Sequence, residues 1–484
     1  MSNRSLPDDL DTRLLINGAW VDGERASFDV LDPATNEPLT AVANASPDQG
    51  RQALTAAVDA QQAWAATPPR ERSDVLRRIF DMVLERRDDF ARTMTLEMGK
   101  ALPESQAEVT YGAEFLRWFS EEAVRIHGLY GQLPEGTLRQ LVMRRPVGVC
   151  LLLTPWNFPL AMATRKMAPA LAAGCTVVLR PAQSTPLTTL LLGRVLCDAG
   201  LPDGVVNIIA SSEHDVTDAL LADDRLRKVS FTGSTPVGRS LLAKASKNVL
   251  RTSMELGGNA PFIVFEDADL DVAVDQARAA KLRNIGQACT SANRFIIHES
   301  LADEFADRLV ERFADEVVGD GLQESTTLGP LASAQARKDV HALVTGALEA
   351  GATLRCGGVV PEGPGNFYPP TVLTNVAHDA EVMANEIFGP VAAITTFVDE
   401  SEALRIANSA SVGLSGYVFT RDVGRIQRMG ALLETGMIGV NTGVLSNAAA
   451  PFGGVKESGL GREGGFVGID EYLETIYLAL PEPS

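Results

Sequence analysis

Cys289 sits in the string Arg283-Asn-Ile-Gly-Gln-Ala-Cys-Thr-Ser-Ala-Asn-Arg294, among small and polar residues rather than in an apolar run. Such a cysteine is a poor core filler and a good candidate for an accessible thiolate, the nucleophilic form of the side chain. Upstream, Met254-Glu-Leu-Gly-Gly-Asn259 offers Glu255 as a candidate base beside glycines that shape the backbone. Together the two strings point to covalent chemistry at sulfur, with a carboxylate available to move a proton. Each has a plainer reading as well. Free cysteines are mostly buried as small hydrophobes, and a glutamate beside two glycines equally suits a solvated loop.

Leu153-Thr-Pro-Trp-Asn-Phe-Pro159 places Asn157 directly after an apolar run, with prolines on both sides to stiffen the loop. An amide there could point into the crevice at the carboxyl end of a sheet, although an isolated Asn in such a turn usually caps backbone. Phe231-Thr-Gly-Ser-Thr-Pro-Val-Gly238 joins an apolar run to a helical pattern. Its glycine and the free amides of a helix N-terminus suit a pyrophosphate. It is not the G-x-G-x-x-G fingerprint, and by pattern alone an ordinary strand-to-helix turn is at least as good a reading. Arg165 and Arg283 are cations that could grip a carboxylate, although the common fate of a single arginine is a surface ion pair.

These residues need a scaffold, and the chain supplies an alternating one. From Val147 onward, Gly148–Leu153, Cys175–Leu179, Val205–Ile209 and Arg227–Phe231 read as apolar strands with helices between them. Near-continuous apolar strands alternating with helices predict a doubly wound parallel sheet covered on both faces. A second α/β series begins at Ala260–Phe265, continues through a helix over Leu270–Asn284 and a strand over Arg294–His298, and runs to Met437–Asn441. Thr137–Met143 and Tyr472–Leu480 read as two further strands that need a sheet edge to pair with. No internal repeat or long linker stands out.

The 484 residues, 45% of them hydrophobic, are enough for about three domain-sized units. A net charge of −19 disfavours nucleic acid and anionic membrane surfaces as partners, so an anionic ligand must be held by local cations or dipoles. The first residues lack the basic and apolar regions of a secretory signal, and the apolar runs are too short or broken to span a bilayer. Five cysteines without C-x-x-C spacing read as reduced thiols, which predicts a cytoplasmic protein. Five scattered histidines show no metal-ligand spacing, and no metal is expected.

The Glu-Leu-Gly-Gly and Gly-Gln-Ala-Cys strings, in this order, resemble the aldehyde dehydrogenase superfamily. So does the closing Ala450-Pro-Phe-Gly-Gly-Val-Lys-Glu-Ser-Gly-Leu-Gly-Arg-Glu-Gly464. The matches run from about Leu15 to Leu478. The resemblance implies a Rossmann-like dinucleotide-binding domain over residues 1–125 and 146–256 and a catalytic domain over 257–450. It also implies a small β extension, over 126–145 and 466–484, that joins copies into a homodimer or homotetramer. It makes Cys289 the nucleophile that forms a thiohemiacetal and then a thioester, and Glu255 the base for thiol or water. Asn157 and the Cys289 backbone N–H become the oxyanion donors, each worth about 3–4 kcal/mol in comparable sites. Cofactor contacts fall on Trp156, Gly233, Ser234, Glu386 and Phe388, the last two within Glu386-Ile-Phe-Gly-Pro390. Without the resemblance, that glutamate would pass for a solvated helix end.

Two departures from the family pattern carry expectations. The family's usual Lys-Pro-Ala-Glu is Arg180-Pro-Ala-Gln183 here, which removes a carboxylate that would repel a 2′-phosphate and adds a guanidinium. NADP or NAD is therefore expected as cofactor, with NADP favoured; the plainer reading leaves Arg180 in an ion pair. The second departure is Ser291, where some relatives carry a second cysteine able to form a reversible disulfide with the nucleophile.

The resemblance narrows to succinate-semialdehyde dehydrogenases through Thr164-Arg-Lys166, Phe115–Glu122, Lys281–Asn284 and Asn441–Asn447. It puts the substrate carboxylate on Arg165, Arg283 and Ser446, and leaves Lys166 as a further pocket or cofactor-side cation. The expected reaction is oxidation of succinate semialdehyde to succinate. Glutarate semialdehyde or an uncharged aldehyde is the alternative substrate, and a cofactor-independent cysteine hydrolase or thioesterase the alternative class. Cys150, Cys175, Cys197 and Cys356 are expected to be structural.

Overall fold

Four of the apolar runs become the middle of one sheet. Cys150–Leu153, Val177–Arg180, Val206–Ile208 and Lys228–Thr232 are strands, mutually parallel, and all their residues but Arg180 are buried. In this computed structural model, which describes residues 4–481, the sheet has eight strands. Leu14–Ile16 joins at one side, pairing antiparallel with Val206–Ile208, and Ala19–Val21 continues beyond it. Arg251–Glu255 lies parallel beside Lys228–Thr232 on the other side, and Gly459–Leu460 closes the sheet antiparallel to it. Residues 1–3 and 482–484, the ends of the first and last expected segments, lie outside the described residues.

The second series forms a seven-stranded sheet. Its order is Thr353–Cys356, Thr371–Thr374, Val391–Phe397, Ala292–His298, Ala260–Val264, Ser415–Phe419 and Met437–Val440. Only the first pair is antiparallel. Separate apolar clusters cover its two faces, one centred on Phe262, Phe295 and Tyr417 and the other on Ile263, Ile296 and Val418. This follows from period-two side chains in strands buried on both sides. Leu138–Pro146 and Leu473–Pro481 pair antiparallel along their whole length, from Leu473 opposite Pro146 to Pro481 opposite Leu138. Leu129–Gln132 completes this three-stranded sheet.

Where the elements start and stop earlier or later than expected, the backbone gives the reason. The strand expected from Cys175 begins at Val177, because Gly174 ends the helix Pro159–Ala173 in the left-handed region and the Cys175 N–H still bonds back to Ala170. The helix expected to reach Asn284 stops at Leu282. Asn284, Ile285 and Gly286 then take φ of 53°, 60° and 74° in succession. A β-branched residue avoids that region unless its surroundings over-determine it. Four helices between Pro47 and Glu122 precede the first parallel strand and pack on its sheet, an arrangement the strand-centred reading did not resolve.

The active side of this architecture lies between the two sheets. Asn157, Gly233 and Glu255 sit at or just past the carboxyl ends of strands in the first sheet, where an open α/β sheet gathers ligands. Cys289 and Glu386–Phe388 come from loops that enter strands of the second. No helix among the described residues is long and apolar enough to cross a membrane.

Phe262 anchors the second core, with the Phe419 ring 4.5 Å, Phe295 5.1 Å, Tyr417 5.8 Å and Phe305 6.4 Å from its own. Phe262→Ala should cost about 3–5 kcal/mol, read as a lower urea midpoint by circular dichroism; an unchanged midpoint would remove this cluster from the stabilising core.

Candidate active site

A cleft of about 230 Å³ between the sheets is lined by Asn157, Trp156, Arg165, Gly233, Ser234, Arg283, Cys289, Glu386, Phe388 and Ser446. These residues come from seven separate stretches of chain. Glu255, Lys166, Arg180 and Gln183 are the sequence-predicted residues that do not line it. No group of three or more His, Cys, Asp or Glu side chains among the described residues is arranged to hold a metal ion.

Cys289 reaches the cleft because the preceding loop is forced outward by the left-handed run at Asn284–Gly286. Backbone packs tightly against this loop from two directions. A Cβ on Gly258 would stand 2.2 Å from the Cys289 carbonyl oxygen, and one on Gly286 would stand 2.2 Å from that of Gly389. Only glycine fits at either contact. The Tyr417 hydroxyl donates to the Thr290 carbonyl at 2.7 Å and fixes the other side of the nucleophile. Burial pushes the Cys289 thiol up to about 12, although Arg165 pulls it back. The resting group is therefore a neutral thiol, and a thiolate needs a base or a bound ligand to form.

Asn157 is held at both ends. Its Nδ2 donates to the Gln287 carbonyl at 3.0 Å, and its own carbonyl accepts from Lys100 Nζ at 2.8 Å and Asn284 Nδ2 at 3.0 Å. One Nδ2 hydrogen is thus used for orientation and the second remains for the cleft. Asn157 and Cys289 line the same cleft.

Glu255 ends its strand almost fully buried, beside Gly453, where a Cβ would stand 3.0 Å from Glu255 Oε1. Its Oε2 has no hydrogen-bond partner. Burial, reinforced by the nearby Glu463 carboxylate, pushes Glu255 well above the usual carboxylate range, against the pull of Arg165, Lys166 and Arg462. Glu463 takes the cations instead. It lies 2.6 Å from Arg165 Nε and 2.6 Å from Lys166 Nζ, and its own carboxyl is held below the ordinary range. Lys166 also donates to Ser230, at 3.1 Å, so it sits behind the cleft rather than in it. Glu463 was visible in the sequence only as part of the closing string; its pairing spans nearly 300 residues and left no local signal.

The three expected carboxylate ligands divide into two groups. Arg283 Nη1 lies 3.3 Å from Ser446 Oγ, and its guanidinium sits over the rings of Phe158 and Tyr111, at 5.0 and 5.6 Å. Stacking of this kind holds the planar cation while leaving edge donors for a ligand. Arg165 is fully buried, tied to Glu463 and stacked 4.1 Å over Phe452, with its Nη1 unpartnered. Ser291, in place of a second cysteine, is buried, with its hydroxyl directed at the Lys281 carbonyl.

On the other wall, Ser234 precedes the helix Thr235–Ala245 without using its hydroxyl as a cap, and Thr232 Oγ1 is buried without a partner. Gly233 fits under the Phe231 ring, which a Cβ would meet at 2.3 Å. Glu386 Oε1 accepts the Gly258 N–H at 3.2 Å, and burial pushes its carboxyl up to about 7. Trp156 and Phe388 meet edge to face, 5.5 Å apart. Free helix-end amides, unused hydroxyls and a carboxylate acceptor, backed by an aromatic wall, fit a dinucleotide's phosphates, ribose and nicotinamide. Arg180 directs Nη2 to the carbonyls of Ser211 and Glu213, at 3.0 and 2.9 Å, while Gln183 is exposed.

Over residues 20–477 the sequence matches the family described as the aldehyde dehydrogenase family. A succinate-semialdehyde dehydrogenase of Paenarthrobacter nicotinovorans is 56% identical over 446 residues, which cover 92% of this chain and 99% of that protein. A glutarate-semialdehyde dehydrogenase of Pseudomonas putida is 45% identical over 468 residues, 96% of this chain and 97% of that one. The crystal structure of an E. coli NADP-dependent enzyme superimposes with a TM-score of 0.97 at 44% identity, covering 99% of this chain and 100% of the other.

With its thiol pushed up to about 12, Cys289 should be alkylated by iodoacetamide slowly at neutral pH in the ligand-free protein. The rate should climb about tenfold per pH unit from pH 7 to 10, because only the thiolate reacts. Peptide mass spectrometry at Cys289 measures this; a plateau below pH 9 would mean a thiolate already formed at rest.

Proposed function

The chain belongs to the aldehyde dehydrogenase family, and on that premise we propose that it oxidises a short ω-carboxylated aldehyde, foremost succinate semialdehyde to succinate, with NADP or NAD. The observation that carries the substrate class is the pairing of Arg283 with Ser446 in the same cleft as Cys289. A guanidinium edge and a hydroxyl offer parallel donors to a carboxylate, and a short chain then spans to the sulfur. Arg165, through its unpartnered Nη1, adds positive potential at the cleft wall.

In this reading Cys289 Sγ adds to the aldehyde carbon, and Asn157 Nδ2 with the Cys289 N–H holds the developing oxyanion. The bound dinucleotide supplies the acceptor for the hydride that leaves this carbon. Ser234, Gly233, Glu386, Trp156 and Phe388 orient it, and the NADP form is favoured because Gln183 brings no carboxylate to repel a 2′-phosphate. Water then cleaves the Cys289 thioester and releases the acid. Glu255 is the base for the thiol or that water. To serve, its carboxyl has to leave the pocket beside Gly453, enter the cleft past Leu256 and give up its proton.

Residues 1–125 and 146–256 serve the dinucleotide and 257–450 the chemistry. Residues 126–145 and 466–484 join copies into a homodimer or homotetramer. Leu473–Pro481 supports this last assignment, because it is the outer strand of its sheet and exposes Tyr477. An open strand edge of this kind calls for a partner. A cytoplasmic location suits the five free cysteines.

Glutarate semialdehyde is the second reading, favoured by the Pseudomonas putida relative. One methylene is worth only about 1–3 kcal/mol of discrimination. Initial rates of NADPH and NADH formation from succinate semialdehyde, glutarate semialdehyde and butyraldehyde separate the readings. A carboxylated aldehyde should win, and Cys289→Ala should abolish turnover. Arg283→Ala should raise KM for succinate semialdehyde roughly 10- to 100-fold, the loss of a charge-assisted contact, with little change for butyraldehyde. An equal effect on both substrates would remove the clamp.

A further inference from the structure

Beside Phe158, the residue after Asn157, lies a small cavity of about 80 Å³ bordered by Lys100, Glu104, Glu108, Phe158, Arg283 and Asn284. Lys100 is 1% exposed and forms an ion pair with Glu108, itself buried. Its Nζ sits 4.3 Å over the Phe158 ring and donates to the Asn157 carbonyl at 2.8 Å. Asn284 Nδ2 donates to the same carbonyl at 3.0 Å, and also to the Gln287 carbonyl at 2.9 Å, the group that orients the Asn157 amide. Glu108 Oε1 accepts the N–H groups of Leu160 and Ala161, at 3.0 and 3.2 Å, in the first turn of the helix that follows Asn157.

We propose that Lys100 is a positioning residue for the reaction: through the Asn157 carbonyl, and with Asn284 as second donor, it sets where the Asn157 amide points. This rests on the reading of Asn157 as an oxyanion donor. The Asn157 carbonyl is held by hydrogen bonds from Lys100 and Asn284, and both of these side chains border the cavity. A buried ion pair contributes little net stability compared with apolar side chains of equal volume. Its value here is directional, because the charged Nζ fixes a carbonyl one residue before the ring it covers. The same pair caps the next helix through Glu108, so the loop is fixed at both ends from one point. A donor displaced by about 1 Å loses on the order of 100-fold in rate.

A double-mutant cycle tests this. Lys100→Met, Asn157→Ala and the double variant are assayed for succinate semialdehyde oxidation with NADPH formation. The same proteins are assayed for 4-nitrophenyl acetate hydrolysis without dinucleotide. There Cys289 sulfur adds to the ester carbonyl, 4-nitrophenolate leaves, and water hydrolyses the acetyl thioester, so the oxyanion donors are read without hydride transfer. Asn157→Ala should lower kcat about 10²- to 10³-fold. Lys100→Met should lower kcat roughly 10- to 100-fold in both assays, with KM and dinucleotide Kd within twofold. The double variant should be no slower than Asn157→Ala alone.

Multiplying effects in the double variant, or a loss confined to KM, would overturn the positioning role. Wild-type turnover by Asn157→Ala would refute the oxyanion reading and this proposal with it. A slow Asn157→Ala combined with an independent Lys100→Met effect would refute this proposal alone. If Lys100→Met does not fold, Asn284→Gly removes the second donor while keeping the left-handed backbone at φ 53°. It should show the same lack of additivity with Asn157→Ala, and additivity there would overturn the proposal.

Discussion

Two backbone-to-backbone contacts bring the halves of the cleft together. The Cys289 carbonyl rests against Gly258, just beyond the last long strand of the first sheet, and Gly286 rests against Gly389 in the loop that carries Glu386 and Phe388. With no side chain between them, the loop at Gly258 beyond the first sheet and the loop at Gly389 of the second both lie directly on the loop that carries Cys289. The distance between Asn157, the Cys289 sulfur and the Glu386–Phe388 wall then depends on main-chain atoms, which move less than side chains. The left-handed run at Asn284–Gly286 follows from the same constraint. The chain has to turn out of its helix within three residues to place Cys289 against Gly258, and tertiary contacts hold Ile285 in a conformation it would not choose.

The sequence carried the elements that define the sheets, because parallel strands buried on both faces leave unbroken apolar runs such as Cys150–Leu153 and Ala260–Val264. It also carried the loops that meet at the cleft. Cys289, Asn157 and Glu386 each stood out by chemistry that does not suit a core, or by matching the family pattern. Side-chain direction was less legible. Lys166 and Arg180 were read as ligand-facing cations, yet the Lys166 ammonium is engaged by Glu463 and Ser230 and the Arg180 guanidinium by the carbonyls of Ser211 and Glu213. Those partners are remote in sequence or are main-chain atoms, and neither kind leaves a periodic signal. Lys100 escaped notice for the same reason, since a lysine after a helix ordinarily reads as solvated surface.

The charges around Glu255 form one balance. Two buried carboxylates, Glu255 and Glu463, share a neighbourhood with Arg165, Lys166 and Arg462. Glu463 holds the two closest cations and stays ionised, so Glu255 is left as the protonated member. A neutral Glu255 costs little to bury and little to move. The neutral thiol of Cys289 fits this picture, because Cys289 and Glu255 both rest uncharged.

Gly459–Leu460, only two residues long, is the outermost strand of the sheet that ends in Glu255, and it comes from the far end of the chain. The closing segment around it also delivers Gly453 and Glu463 to the same carboxyl. As synthesis proceeds, the first sheet can collapse around its parallel strands long before these residues leave the ribosome. Until they arrive, Glu255 lies at an unfinished edge without Glu463 and Arg462, two of the charged groups that set its protonation. The surroundings of Glu255 are therefore completed last, after the strands that support them can already have formed.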